Sequence, residues 1–234
     1  MEQKRAIITG ASKGIGRAIA FKLAEEGYSL ALCARTLADL NLLKMELEVY
    51  KTEILVFQVD CSIKAEIKEF IKQIDQHWGG VEVLINNVGY YKSNLILEED
   101  DLDFEYHLAV NLLAPYYLSK HYGNLMKKKG SGHIFNIISI SAIEQTVNYG
   151  SYGVTKAGLL SLNNVINKEL AEFGVKVTAI LPGPTLTHSW AGTNIPSDRF
   201  LDPKDIAENL YQVLKLGSNT QVDEIIIKPL QFKI

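Results

Sequence analysis

Residues 5–16 read RAIITGASKGIG. The first five form a short apolar run suited to a buried strand, glycines stand at 10, 14 and 16, and Ala18, Ile19, Phe21, Leu23 and Ala24 continue with helical character. Strand, glycine loop and helix in that order make a place for a diphosphate. Glycines let the main chain turn tightly and approach the ligand, and the free N–H groups at the helix start receive its negative charge. The spacing is TGxxxGxG rather than GxGxxG, and for the loop alone a tight connection without a ligand is the alternative.

Working outward, residues 29–34, SLALCA, make a second buried strand one βαβ unit later, followed by Arg35. In a dinucleotide fold an acidic residue at this strand tip would hold the adenosine ribose 2′-hydroxyl. Here the tip is Ala34-Arg35, with no carboxylate to repel a phosphate and a guanidinium able to grip one. Lys13 in the glycine loop adds a second cation on that side, so NADP(H) is expected in preference to NAD(H). Residues 54–59 read as a third strand ending at Asp60, and Ile63, Ile67, Phe70, Ile71, Ile74 and Trp78 then form the core stripe of a helix. A fourth strand, residues 81–85, runs into Asn86-Asn87-Val88-Gly89, where amides would line a cofactor or satisfy main-chain groups, unless the segment is a plain turn.

Acidic residues at 98–101 load the start of a long helix that runs through Leu102, Phe104, Leu108, Leu112 and Leu113 to the lysines at 127–129. Asn111 lies inside it, and an Asn in a helix has no role on its own account. Residues 132–138 form a fifth strand that delivers Ser139 to its carboxyl end, where open α/β sheets bind ligands. The following stretch, 139–156, is SISAIEQTVNYGSYGVTK. Tyr152 and Lys156 share a helix face, and a cation within reach favours the phenolate and lowers the tyrosine pKa. With a hydroxyl from Ser139 they resemble proton-transfer machinery for a carbonyl or alcohol. Taken alone, a Tyr and a Lys four apart are more often a surface accident.

A sixth strand, residues 175–181, stops at Pro182-Gly183-Pro184, and residues 185–202 carry His188, Trp190, Gly192 and Pro196 with little periodicity, as expected of a mobile loop over the same sheet edge. Asp202-Pro203 starts a last helix and residues 222–228 a last strand. Without a linker or internal repeat, one domain over residues 1–234 is expected, with 185–202 as a substrate-loop region within it.

Composition narrows the partners. The 234 residues are 47% hydrophobic and 22% charged, with net charge −3, which fits a globular protein without a basic field for nucleic acid. No apolar run approaches the roughly 18 residues that span a bilayer, and MEQKRAIITG has no export-peptide character. A cytoplasmic location and no membrane partner are expected. Cys33 and Cys61 read as reduced thiols, and five scattered histidines form no metal cluster.

Four separated signals together make the chain similar to the short-chain dehydrogenase/reductase family over essentially its whole length. Residues 9–16, TGASKGIG, resemble the family's nucleotide loop; Asn86-Asn87-Val88-Gly89 its NNAG motif, with Val88 where Ala is usual; Tyr152 to Lys156 its YxxxK motif; and residues 182–187, PGPTLT, its PGxxxT stretch. The resemblance implies a Rossmann-type doubly wound α/β domain, with a seven-stranded parallel sheet in order 3-2-1-4-5-6-7 and helices on both faces. It implies four catalytic residues. Ser139, thirteen before the tyrosine and so preferred over Ser141, would polarise the substrate oxygen, and Tyr152 would protonate it. Lys156 would bind the nicotinamide ribose and depress the tyrosine pKa, and Asn111 would position a relay water. Cofactor contacts are implied for Gly10, Ser12, Lys13, Gly14, Ile15, Gly16, Arg35, Asp60, Asn87, Gly89, Tyr152, Lys156, Pro182, Gly183 and Thr187.

The reaction so implied is hydride transfer between NADP(H) and a small-molecule carbonyl or alcohol. Tyr90, Tyr91, Tyr149 and Trp190 would surround the nicotinamide and suit a flat or apolar ketone, packing being the equal alternative. The ending VDEIIIKP at 222–229 and the HSWAG loop resemble sepiapterin-reductase-like and broad carbonyl-reducing members more than 3-oxoacyl-carrier-protein reductases. Ketoreduction on a carrier protein is the second substrate reading, and an NADP(H)-binding sensor without turnover the reading from another class. Family resemblance also implies a homodimer or homotetramer built on the long helices around Asn111 and Tyr152.

Overall fold

Seven parallel strands hydrogen-bond side by side in the order β3-β2-β1-β4-β5-β6-β7. They are β1 Arg5–Thr9, β2 Ser29–Ala34, β3 Ile54–Gln58, β4 Val83–Asn86, β5 Gly132–Ile137, β6 Val175–Pro182 and β7 Glu224–Ile227. Among the described residues seven α-helices connect and cover them: α1 Gly14–Glu25, α2 Leu37–Leu47, α3 Lys64–Trp78, α4 Asp101–Leu108, α5 Ala114–Lys129, α6 Gly150–Ala171 and α7 Pro203–Leu214. The computed structural model describes residues 4–190 and 192–231. Residue 191 of the HSWAG loop, the first three residues of the single domain expected over 1–234 and its last three, 232–234, lie outside the described residues.

Strand alternation builds a core on each face of the sheet. Ala6 and Ile8, Leu30 and Leu32, Val83 and Ile85 point to one side, where Ile19, Leu23, Leu40, Leu43, Ile206 and Leu210 from α1, α2 and α7 cover them. Ile7, Ala31, Cys33, Leu84 and Ile134 point to the other, under Ile67, Phe70, Ile74, Leu118, Tyr122 and Leu170 from α3, α5 and α6. Each large aliphatic or aromatic chain so buried contributes about 1.5–3 kcal/mol of transfer free energy. Both cysteines are free and buried in the second core.

The NNVG segment crosses from core to cleft. Asn86 Nδ2 donates to Ser119 Oγ at 2.9 Å and to Asn136 Oδ1 at 2.8 Å, and Asn136 Nδ2 donates to Asn163 Oδ1 at 2.9 Å. This buried amide chain ties β4 to β5 and then to α5 and α6. Asn87 Nδ2 instead donates to the carbonyls of Thr9 and Gly10, at 2.8 and 3.1 Å, which joins the end of β4 to the start of the glycine loop.

The long helix expected from the acidic cluster to the lysines is two helices. Asp100 caps α4 by accepting from Leu102 N at 2.9 Å, and α5 begins at Ala114, with a π-helical segment, Ala109–Leu113, between them. Pro115 explains the break. The α-helical partner of the Asn111 carbonyl would be the N–H of residue 115, which proline lacks, and the proline ring crowds that same carbonyl. The chain takes up the conflict with a wider turn, closed by Ala114 N donating to Ala109 O. Smaller differences lie at strand ends: β4 starts at Val83 and β7 spans Glu224–Ile227.

Residues 185–202 leave the end of β6 and return through a bridge pairing Thr185 with Leu201. Leu186 N donates to Leu201 O and Leu201 N to Pro184 O, both at 2.9 Å, so the base of this segment is fixed.

Candidate active site

A cleft of about 610 Å³ opens along the carboxyl ends of the strands, and the glycine loop, Arg35, Asp60, the NNVG segment, Ser139, Tyr152, Lys156 and the Pro-Gly-Pro edge all line it. One end is glycine and charge. Gly10 and Gly14 have φ of +64° and +56°, in the left-handed region. A Cβ on Gly16 would fall 2.4 Å from Gly10 O, and one on Gly14 would fall 2.9 Å from Thr187 Cγ2. No side chain caps α1 and no acidic residue sits in its first turn, so its positive end is left to an anion from the cleft. The residues present therefore fit an anionic dinucleotide, from Ser12 and Ile15 in the loop to Pro182, Gly183 and Thr187 across the cleft.

Arg35 and Lys13 stand at this end, each already engaged. Arg35 Nη1 donates to the Tyr106 hydroxyl at 3.1 Å, and Lys13 Nζ lies 3.0 Å from Asp39 Oδ2. The strand tip carries no carboxylate, as expected, but Asp39 of α2 lines the same cleft and pairs with the second cation. Asp60 is held by Ser62, whose N and Oγ donate to Asp60 Oδ1 at 2.9 and 2.7 Å.

At the other end Ser139, Tyr152 and Lys156 meet. The Ser139 side chain accepts from Ser141 N at 3.1 Å and from Ser141 Oγ at 2.9 Å, and both serine hydroxyls lie near enough to the Tyr152 phenol to favour its charged form. Ser141, set aside on spacing, is thus buried support for Ser139. Lys156 is buried and donates to Ile137 O at 3.1 Å, its Nζ 5.7 Å from the Tyr152 ring centre.

The electrostatics reverse the expected direction for the tyrosine. Burial pushes the Tyr152 phenol up to about 12, opposed by the Ser139 hydroxyl and more weakly by that of Ser141. Burial also pulls the Lys156 ammonium down to about 8. The serines are what favour the phenolate, against desolvation.

Asn111 is fully buried inside the π-helical segment. Its Oδ1 accepts from Tyr90 N at 2.8 Å, and its Nδ2 donates to Tyr90 O at 2.9 Å and to Thr155 Oγ1 at 3.1 Å. Both amide donors are therefore spent, and Thr155 passes the connection on by donating to Tyr152 O at 3.0 Å. A Cβ on Gly89 would lie 3.5 Å from Lys156 Nζ and 3.7 Å from Asn111 Oδ1, so both polar atoms border one small space that glycine keeps open. Thr155, Tyr106 and Asp39 were not singled out from the sequence, and Ser141 was passed over for Ser139. The signal for the first was its place inside YGVTK, and for the break at Asn111 it was Pro115 four residues on.

Aromatic rings wall the reacting end. Tyr91 stands edge-on to Tyr152 with ring centres 5.0 Å apart, and Tyr149 at 6.3 Å. Tyr91 and Tyr149 are themselves edge-on at 6.1 Å. Trp190 lines the cleft and packs on Phe200 at 5.0 Å. Tyr90, which also lines the cleft, packs on Tyr106 and His107, each at 4.7 Å. Among the described residues no group of acidic, His or Cys side chains is placed to hold a metal ion, and no helix is long and apolar enough to cross a membrane.

The family described as short chain dehydrogenase matches residues 4–196. An uncharacterized oxidoreductase of Staphylococcus aureus (strain MW2) is 36% identical over 230 residues, covering 98% of both chains. An alcohol dehydrogenase from the archaeon Thermococcus sibiricus, solved with 5-hydroxy-NADP, superposes with a TM-score of 0.92 at 29% identity, over 100% of this chain and 99% of that one. L-sorbose reductase from Gluconobacter frateurii, complexed with NADPH and L-sorbose, gives a TM-score of 0.88 at 25% identity, over 100% and 98%.

Proposed function

The chain belongs to the short-chain dehydrogenase family, and from that premise we propose that it is an NADPH-dependent oxidoreductase reducing a ketone or other carbonyl to an alcohol. The observation that carries the reading is one cleft lined at one end by a glycine loop with Arg35 and at the other by Ser139, Tyr152 and Lys156. NADPH, when bound, supplies the hydride. Loop 10–16 holds its diphosphate, Arg35 its 2′-phosphate and Asp60 its adenine side. Asn87, Gly89, Pro182, Gly183 and Thr187 border the nicotinamide half, whose ribose Lys156 binds.

Ser139 donates a hydrogen bond to the substrate oxygen and holds it beside Tyr152. Tyr152 gives that oxygen a proton as charge develops on it. A phenol held well above neutrality stays protonated until then, which suits the reducing direction. Asn111 fixes the main chain of Tyr90 and, through Thr155, the turn of α6 that carries Tyr152. Its relay role passes to the main-chain carbonyl that Pro115 leaves without an α-helical donor. Tyr91, Tyr149 and Trp190 form an uncharged, aromatic wall, which favours a flat or apolar neutral ketone, as in carbonyl-reducing members similar to sepiapterin reductase. Apolar Leu113, Tyr116, Val154 and Val165 are exposed on and beside α5 and α6, in keeping with a homo-oligomer through those helices.

The test is to mix purified protein and NADPH with a carbonyl panel containing diketones, sepiapterin and a β-ketoacyl thioester. Reduction of the diketones or sepiapterin with the thioester untouched is expected. Reduction of the thioester alone would move the substrate to acyl carriers, and tight NADPH binding without any reduction would make the protein a sensor. Separately, Arg35→Ala should weaken NADPH binding far more than NADH binding.

A further inference from the structure

The two cations at the adenosine end are satisfied in unequal ways. Tyr106 occupies one of the five N–H donors of Arg35 and leaves its charge whole. Asp39 cancels the charge of Lys13. The carboxylate is also the better anchored partner, 29% exposed in its side chain against 54% for the lysine. It sits in the first turn of α2, where negative charge complements the helix dipole. Lys13, Arg35, Thr36 and Asp39 line the same stretch of cleft wall. An anion within reach of both cations there is also within range of the carboxylate, and must share Lys13 with it or displace it.

We infer that Asp39 is a specificity-determining residue that opposes the 2′-phosphate. It holds Lys13 when no phosphate is present, and its negative charge makes the preference for NADP(H) over NAD(H) weaker than two cations alone would give. The inference rests on the reading of this cleft as an NADP(H) site. It assigns the preference to Arg35, with Lys13 held in check.

The test measures binding of 2′,5′-ADP and of 5′-AMP by calorimetry in low-salt buffer, so that no turnover is needed. Asp39→Asn, a change at a partly exposed position, should bind 2′,5′-ADP about 3–10-fold more tightly than the unaltered protein and 5′-AMP within about twofold of it. The gain should shrink in 0.5 M salt. It should vanish when Lys13→Met is added to Asp39→Asn. Unchanged or weaker 2′,5′-ADP binding by Asp39→Asn overturns the inference, as does a gain that survives Lys13→Met. If neither nucleotide binds the unaltered protein, the reading of the cleft falls and takes the inference with it. If both bind and only the Asp39 effect is missing, the cleft reading stands alone.

Discussion

Asn111 holds Tyr90 by both main-chain polar groups, accepting from its N–H at 2.8 Å and donating to its C=O at 2.9 Å. The pair matches an amide to a peptide group, as one strand matches its neighbour. Asn111→Asp keeps the acceptor but turns a carboxylate oxygen toward the Tyr90 carbonyl, leaving a buried mismatch. A loss of about 2–3 kcal/mol in urea unfolding is expected, with turnover falling more than NADPH affinity.

Ser141 should show itself in pH dependence. Its hydroxyl and that of Ser139 hold the Tyr152 pKa below what burial alone would set. Ser141→Ala should move the rising limb of alcohol oxidation to higher pH, by less than Ser139→Ala does. Each unit of movement costs about tenfold in rate at neutral pH. A pH–rate profile of the oxidation reaction checks this; an unmoved limb would leave Ser141 a packing residue.

Lys156 places a charge in a buried position. Its pKa is pulled by burial from the ordinary 10.5 to about 8, so between those values the unfolded chain binds more protons than the folded one. Folding stability of the nucleotide-free protein should therefore rise with pH through that window, by about 1.4 kcal/mol per unit for this group. Tyr152, raised by burial to about 12, acts oppositely above pH 10. Lys156→Met, inactive, should be the more stable protein at pH 7, and its advantage should fade as pH rises from 8 toward 10. Denaturant curves at pH 7, 8.5 and 9.5 test the trend.

His133 governs the acid side. It is buried and stacked on Phe135 at 3.9 Å, and its Nε2 lies 2.8 Å from Thr178 Oγ1. The Thr178 hydroxyl donates to Val222 O, so the histidine Nε2–H must donate to it. Burial holds its pKa down at about 3. The unfolded chain takes up this proton from pH 6.5 downward and the folded one does not until about 3. Stability should fall across that window by about 1.4 kcal/mol per unit, fully present above 6.5. His133→Gln should flatten the acid limb by that slope in guanidinium titrations.

The parallel sheet was legible because each of its strands is a short apolar run closed by small or polar residues, and the glycine loop marked the first of them. Tyr152, Lys156, Ser139 and the nucleotide loop could be placed in one cleft for the same reason: each follows the carboxyl end of a strand. Asp39 was not legible, because its meaning depends on α2 turning its first turn toward the glycine loop, a relation across strands. The direction of the Tyr152 shift was misjudged because Lys156 spacing carries no information about desolvation. Asn111 could be placed by resemblance, yet its physical setting was written at Pro115, which a search for apolar periodicity passes over.

A π turn holds one residue more than the α turn it replaces, so α4 and α5 are out of phase by about 100°. Deleting any one residue of 109–113 would remove the extra residue of that turn and rotate everything before it, with Pro115 still interrupting the helix. Tyr106 would then swing away from Arg35, and His107 from the ring of Tyr90, although no side chain in the cleft had been substituted. The rotational register of that one helix thus governs the nucleotide end and the reacting end together.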